Sequence, residues 1–185
     1  DDQVALQEGV RSFLQGRFAI DAVRALEDQG GIDRARWHEL ADMGIFALRL
    51  DEADGGVALG WADAVLVFEE LGRAIVPGPL VWTHLLAGRV DGAATGEAVV
   101  GGIERDDPSG IIENPDGIDV LIVLDDAGIW SIDPSELDLE PIATPLDSLT
   151  PVARLIGALP QGEQIGTPDD AAALRLGGAA LIAAY

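Results

Sequence analysis

At 185 residues, 48% of them hydrophobic, the chain has room for one domain or two small ones and for a sizeable buried core. Its 33 acidic and 11 basic residues leave a formal net charge of −22, which repels nucleic acid and anionic membranes and suits either plain solubility or a basic partner surface. It has no cysteine, which excludes disulfides, thiolate nucleophiles and cysteine-held zinc or iron–sulfur centres.

The chain opens DDQVALQEGV, without Met and without a basic-then-apolar leader. No apolar run reaches the roughly 18 residues a membrane helix needs, so a soluble, cytoplasmic protein is expected. Residues 4–18 read as a helix, with Val4, Val10, Phe13 and Leu14 near one face. QGGID, at 29–33, is a break, and Asp33 can cap the next helix, whose apolar face is Trp37, Leu40 and Ala41. Gly44 stops that helix, and IFALRL follows as a short apolar run.

DEADGG must then be a surface turn: its two glycines permit positive φ and its acids stay in water. From about Gly60 to Ile75 runs the clearest helix, with Trp61, Ala64, Val65, Phe68, Leu71 and Ile75 at helical spacing. VPGP ends it, and LVWTHLLAG reads as one more helix. After about Asp91 the texture becomes β-rich. AVVGGI, DVLIVL and GIWSID are strand candidates, with DDAG as the hairpin turn between the last two, and prolines and turn residues punctuate the chain from Pro108 to Pro168.

TPDDAAALRLGGAALIAAY returns to helix, capped by Thr167 or Asp169. From Gly177 to Ala184 it has no polar residue, so it is expected to be buried on all sides. After the β unit nothing remains in this sequence to cover it. Either further chain after Tyr185 or a second subunit would have to supply one. Helices followed by strands argue for segregated layers, not a βαβ wind.

No self-contained active site can be read from these residues. His38 and Asp42 lie four apart on a helix, but two ligands do not close a metal site, and His84 reads as a packed or hydrogen-bonded side chain. Gly55, Gly56 and Gly60 lack the Lys-Ser/Thr of a phosphate loop, and the acids before them repel phosphate. Glu69 and Glu70 point in different directions on a helix and read as surface charge, with Arg73 placed to pair with Glu69. No serine sits in a Gly-x-Ser-x-Gly elbow.

The stretch WHELADMGIFALRLDEADGGVALGWADAVLVFEELGRAIVPGPL resembles the N-terminal helical domain of the acyl-CoA dehydrogenases. The family pattern pairs a Trp-x-x-Leu-x-x-x-Gly helix with an acidic Gly-Gly loop and a Glu-Glu-Leu-Gly helix. Here these are Trp37, Leu40 and Gly44, then Gly55–Gly56, then Glu69–Gly72. The motif match covers residues 37–80, and the rest agrees in architecture. The resemblance implies an α+β fold: a helical domain over 1–92, an abbreviated middle β-domain over 93–167, and at 168–185 the first helix of a C-terminal bundle that continues beyond this sequence.

It also implies a reaction, α,β-dehydrogenation of a CoA thioester, in which a carboxylate takes the α-proton as hydride passes to the flavin. In the family the helix after Glu-Glu-Leu-Gly lines the acyl pocket. By position this makes Pro79, Trp82, Thr83 and Leu86 the substrate-binding candidates, with core packing as the plainer reading of the same residues. The departures matter as much. Where the family carries a Thr-Glu-Pro…Gly-Ser-Asp flavin signature, this chain reads GGIERDDPSGII. Glu104 and Ser109–Gly110 stand as remnants to which no binding role is carried. The family's catalytic glutamate lies in the C-terminal bundle, past Tyr185, so no base is assigned.

A shortened, signature-poor member is similar to one subunit of the actinobacterial two-gene acyl-CoA dehydrogenases, α2β2 assemblies that often act on steroid-derived CoA thioesters. FAD is then expected in the complex, bound mainly by the partner subunit. The alternatives are a flavin-free, catalytically inactive structural partner of such an enzyme, or an acidic protein-interaction module.

Overall fold

The computed structural model describes residues 2–27 and 30–185. Five helices come first, α1 (Asp2–Arg17), α2 (Ile20–Arg24), α3 (Arg34–Asp42), α4 (Trp61–Arg73) and α5 (Leu80–Leu86). Seven short strands follow, β1 (Val100–Glu104), β2 (Ile111–Glu113), β3 (Val120–Asp125), β4 (Gly128–Ile132), β5 (Leu139–Pro141), β6 (Val152–Leu155) and β7 (Glu163–Gly166), and then α6 (Pro168–Ala184). The α+β reading therefore holds. Of the expected break at 29–33, Gln29 lies outside the described residues. Gly31 is required there: its φ is +84°, and a Cβ on it would stand 2.0 Å from the Leu149 carbonyl oxygen.

The start and stop signals act as their chemistry suggests. The Asp33 side chain accepts from the amides of Ala35 and Arg36, at 2.9 and 3.3 Å, and opens α3. Gly44, at φ +77°, ends it, and Ile45–Leu48 descend into the core as an irregular buried run. The Gly-Gly loop divides its labour. Gly55 takes the left-handed φ of +81°, whereas Gly56 is needed for space, because a Cβ would sit 2.0 Å from the Leu50 carbonyl oxygen. Ala58 and Leu59 then donate to the carbonyls of Leu50 and Leu48, both at 2.8 Å, so the loop folds back on the buried run and delivers α4. This is a scaffold connection. α4 begins at Trp61 and ends at Arg73, short of the expected Ile75, because the chain turns at Ile75 with φ +51°.

α4 is the centre of the helical part, flanked by α1 and α6. It buries Ala64, Val67, Phe68 and Leu71 completely. Two glycines bring α6 close. A Cβ on Gly72 would stand 2.0 Å from the Tyr185 backbone oxygen, and one on Gly177 would stand 2.2 Å from the Trp61 ring.

Glu70 corrects the sequence reading. It is 2% exposed, not a surface charge. Arg11 grips it through Nε and Nη2, at 2.8 and 2.7 Å, and Arg73 adds a bond at 2.8 Å while also holding Glu69 at 2.6 Å. The hydrogen bond from Arg11 holds the Glu70 carboxyl below the usual carboxylate range, against the opposing effect of desolvation. Glu70→Gln is expected to cost about 1.5 kcal/mol in urea unfolding. That is less than the loss of a wholly buried pair, because the Arg11 and Arg73 side chains remain 45% and 55% exposed and rehydrate. Glu69→Gln, on the solvated side, is expected to stay within about 0.5 kcal/mol.

The β part forms two sheets, ordered β1-β3-β4-β7 and β2-β6-β5. All pairings are antiparallel except β1 with β3, in register Val100↔Val120 through Glu104↔Leu124. The β3–β4 turn is DDAG as expected, with Asp125 accepting from the amides of Ala127 and Gly128 and from Trp130 Nε1. β2, β5, β6 and β7 form in the same proline-punctuated stretch as β3 and β4, at segments that are not among the strand candidates. One core cluster runs from Val10 and Leu14 of α1 through α4 to Ile103, Ile112 and Ile132 of both sheets, and a smaller one joins Leu86, Val100, Ile122 and Leu174.

Thr167 caps α6 in a reciprocal box with Asp170. α6 is not buried on all sides. Ala171, Leu174, Gly177, Gly178 and Leu181 face this chain's own α4, α5 and sheet, whereas Leu176 is 77% and Ile182 65% exposed. The chain supplies the cover for one face, and the opposite face stays apolar and open.

Candidate functional site

The α4–α5 connection builds one wall of a cleft of about 480 Å³. Pro77 and Pro79 fix their own backbone, and Gly78, at φ +108°, lies so close to Trp37 that a Cβ would be 2.8 Å from its ring. The strained φ of Ile75 is outside the ordinary range of a β-branched residue and sets its side chain on the cleft wall. Ile182 and Tyr185 of the α6 end and Glu113, Asn114, Asp147, Leu149 and Thr150 line the rest of the cleft. A second hollow of about 280 Å³ continues past Val81, Trp82 and Ile182, which line both, to Leu85, Leu174 and the Glu104–Arg175 ion pair. Together they form an open trough along the α5–α6 seam with an apolar middle and polar ends.

The four candidate residues divide. Pro79 and Trp82 line the trough. Trp82 also lies flat on β1: a Cβ on Gly102 would be 2.3 Å from its ring, so that glycine exists to admit the indole. Thr83 and Leu86 are fully buried. The Thr83 hydroxyl accepts from the Val100 amide at 3.0 Å and ties α5 to β1, and Leu86 packs in the smaller core cluster.

Of the two histidines, His38 is exposed, with Nδ1 3.4 Å from the Thr95 carbonyl oxygen. His84 is 5% exposed, with Nδ1 3.1 Å from the Ile45 carbonyl oxygen and its ring edge-on to Phe68 at 5.3 Å. It is packed and hydrogen-bonded, away from the trough.

Glu113, Asn114, Asp147 and Thr150 reach the cleft from loops that the sequence marks only as turns. The Asn-Pro-Asp-Gly run at 114–117 announces a bend, but nothing in it says that the bend meets α6. Glu113 keeps some water contact, yet desolvation by the surrounding cleft raises its carboxyl pKa. Burial likewise pushes the Tyr185 hydroxyl up to about 12, and that hydroxyl donates to the Val76 carbonyl.

Residues 1–95, just over half of the chain, match the family model of the acyl-CoA dehydrogenase N-terminal domain. Acyl-CoA dehydrogenase IpdE2 of Mycolicibacterium smegmatis is 38% identical over 87 residues, 46% of this chain and 28% of that protein. Benzylmalonyl-CoA dehydrogenase of Aromatoleum aromaticum is 34% identical over 73 residues, 40% of this chain and 19% of that protein. Among solved structures, the Tcur3481-Tcur3483 steroid ACAD superposes with a TM-score of 0.74 at 20% identity, covering 99% of this chain and 62% of that one. The ChsE4-ChsE5 complex from Mycobacterium tuberculosis gives 0.69 at 18% identity, over 98% and 62%. The chain thus spans less than a third of the length of these curated relatives and under two thirds of these solved chains.

Proposed function

The chain belongs to the acyl-CoA dehydrogenase family, and on that premise we propose that it is one subunit of a flavin-dependent enzyme that desaturates a CoA thioester between its α and β carbons, acting with a second acyl-CoA dehydrogenase-like chain. The observation that carries this reading is the apolar trough along the helix that follows Glu69–Gly72, with Pro79 and Trp82 on its wall. Thr83 and Leu86 hold that helix against the sheet from behind. A partner chain is supported by the solved complexes of like fold and by the exposed apolar face of α6. A steroid-derived acyl group is supported by the steroid ACAD among them. Among the described residues no helix is long and apolar enough to cross a membrane, and we place the enzyme in the cytoplasm.

This chain's own part is positioning. Val81, Trp82, Leu85 and Ile182 offer an apolar body of substrate an apolar surface, and the Trp82 indole, packed on Gly102, gives it a flat wall.

The residues present do not fit FAD. A dinucleotide brings a pyrophosphate and needs cations or free amides to hold it. Where the family's flavin signature would fall, after β1, this chain sets Glu104, Asp106, Asp107 and Asp126 around Arg175. Arg175 is itself spent on Glu104, through bonds of 2.8 and 2.7 Å. The flavin is therefore assigned to the partner subunit. The same acidic cluster favours a second reading, a flavin-free structural partner that shapes a site lying wholly in the other subunit.

The test is to purify the full-length protein alone and together with a co-expressed neighbouring dehydrogenase subunit, and to record mass, flavin absorbance and CoA-thioester oxidation. The expected result is a colourless lone chain and a yellow, active hetero-oligomer whose KM for the thioester rises several-fold in Trp82→Ala. Turnover indifferent to Trp82→Ala would leave only the structural role. A lone chain that retains FAD would overturn the assignment of the flavin.

A further inference from the structure

The polar end of the 480 Å³ cleft holds a buried amide that the fold does not use. Asn114 is 3% exposed, and its Oδ1 is buried without a partner. Its side chain makes no hydrogen bond among the described residues, while its backbone is fully engaged. The Asn114 amide donates to the Pro151 carbonyl at 2.7 Å, and its carbonyl accepts from Gly117 and Ile118 at 2.8 and 3.1 Å. The residue sits at φ +51°, a left-handed conformation that asparagine tolerates better than most side chains. A rigid backbone thus holds an unsatisfied side-chain amide among the residues that line the cleft, and such a group is costly unless something pairs with it.

The neighbours limit what that something is. Asp147 accepts from the Leu149 amide and from the Thr150 hydroxyl, at 3.0 and 2.8 Å, so the Thr150 proton is committed. The Tyr185 proton is committed to Val76. Glu113 contributes a carboxylate, and among the described residues no arginine lines the cleft. Among the described residues, the free side-chain groups lining the cleft are acceptors, apart from the NH2 of Asn114. An anion is repelled, so the phosphates of CoA do not belong here. An ammonium would satisfy the acceptors but would face the Asn114 NH2 with a like donor. A hydroxyl both gives and takes, and it pairs with the amide whichever way round the amide is turned. Its carbon skeleton would lie on Val81, Trp82, Leu149 and Ile182, and a cavity of this volume falls within the ordinary range for a ligand site.

We propose that this cleft is the distal subsite for the acyl group, and that Asn114, with Glu113 beside it, selects acyl thioesters carrying an alcohol at the end remote from the thioester. The proposal rests on the acyl-CoA reading above and names its substrate class.

The test is equilibrium binding to the full-length complex, read by tryptophan fluorescence and calorimetry, with lauroyl-CoA, ω-hydroxylauroyl-CoA and ω-aminolauroyl-CoA as probes. The hydroxylated thioester is expected to bind about tenfold more tightly than the plain one, since a site built to hydrogen-bond a hydroxyl rejects the analogue lacking it. In Asn114→Gly, which keeps the left-handed backbone and removes the amide, that preference is expected to fall to about twofold or less. Glu113→Gln serves as a second variant with an unstrained backbone and is expected to lower the preference partly. Equal binding of the plain and hydroxylated probes, an undiminished preference in Asn114→Gly, or tightest binding of the amine would each overturn the subsite while leaving the dehydrogenase reading intact. Failure of every thioester to bind the folded complex would overturn both.

Discussion

Phe68→Ala is expected to destabilise the chain by about 4 kcal/mol. Phe68 lies in the middle of α4, has no exposed surface, and belongs to the cluster that joins α1, α4 and both sheets. Truncation removes most of an aromatic side chain's transfer free energy and opens a void that Val67, Leu71 and Leu80 cannot close without moving whole helices. The void also strips the edge-on partner from His84, whose ring centroid is 5.3 Å away. Phe68→Leu keeps most of the volume and is expected to cost about 1.5 kcal/mol. Urea unfolding followed by circular dichroism checks both, with an unchanged m-value showing that stability has changed and the surface exposed on unfolding has not. A Phe68→Ala loss below about 1 kcal/mol would mean that α4 is not the centre of the core.

The features legible in the sequence are those decided within a few residues. The Asp33, Asp125 and Thr167 side chains each accept from amides no more than three positions away, and the Gly44 amide donates to the Ala41 carbonyl three positions back. Local chemistry is enough to place them. β2, β5, β6 and β7 are not legible, for the opposite reason. Each has only three or four residues, and β2 gains its partner from Val152–Arg154, across an intervening hairpin. No periodicity can accumulate over so short a run.

The same distance hides the burial of Glu70. The adjacent Glu69 and Glu70 look alike in sequence, and what separates them is Arg11, fifty-nine positions upstream on α1. Asn114 is hidden too, since an Asn-Pro turn says where the chain bends and not what it faces. α6 departs from expectation in another way. Its apolar residues do demand cover, but the cover on one side is α4 and α5, which approach because Gly72 and Gly177 leave room for it. The open remainder, Leu176 and Ile182, is where a partner is proposed.

Acidification is the second perturbation with a large expected effect, and it acts through His84. Burial lowers the His84 pKa to about 4, and the nearby Arg49 charge adds to this, while the carbonyls of Ile45 and Phe46 oppose it. Nδ1 donates to the Ile45 carbonyl and Nε2 is buried without a partner, so the ring is held as a neutral donor. Arg49 brings no compensating carboxylate, since its guanidinium lies on the Trp61 ring at 3.4 Å. The folded state therefore resists a proton that the unfolded chain accepts near pH 6.5. Above that pH the group contributes nothing to the pH dependence. Below it stability falls by about 1.4 kcal/mol per unit, to a total of about 3 kcal/mol as pH approaches 4. The sequence pI of about 4.1 makes solubility limiting there, so the measurement belongs between about pH 7 and pH 5, where the loss is about 2 kcal/mol. Carboxylates held low by arginines, Glu70 among them, add an acid loss of their own, and it is common to wild type and variant. The quantity to read is the difference in slope between wild type and His84→Gln, whatever the variant's stability at neutral pH. A slope smaller in His84→Gln by about 2 kcal/mol over this interval is expected. Equal slopes would show that the imidazole reaches water when it protonates, and that the core between Phe68 and Ile45 opens at a cost smaller than its packing implies.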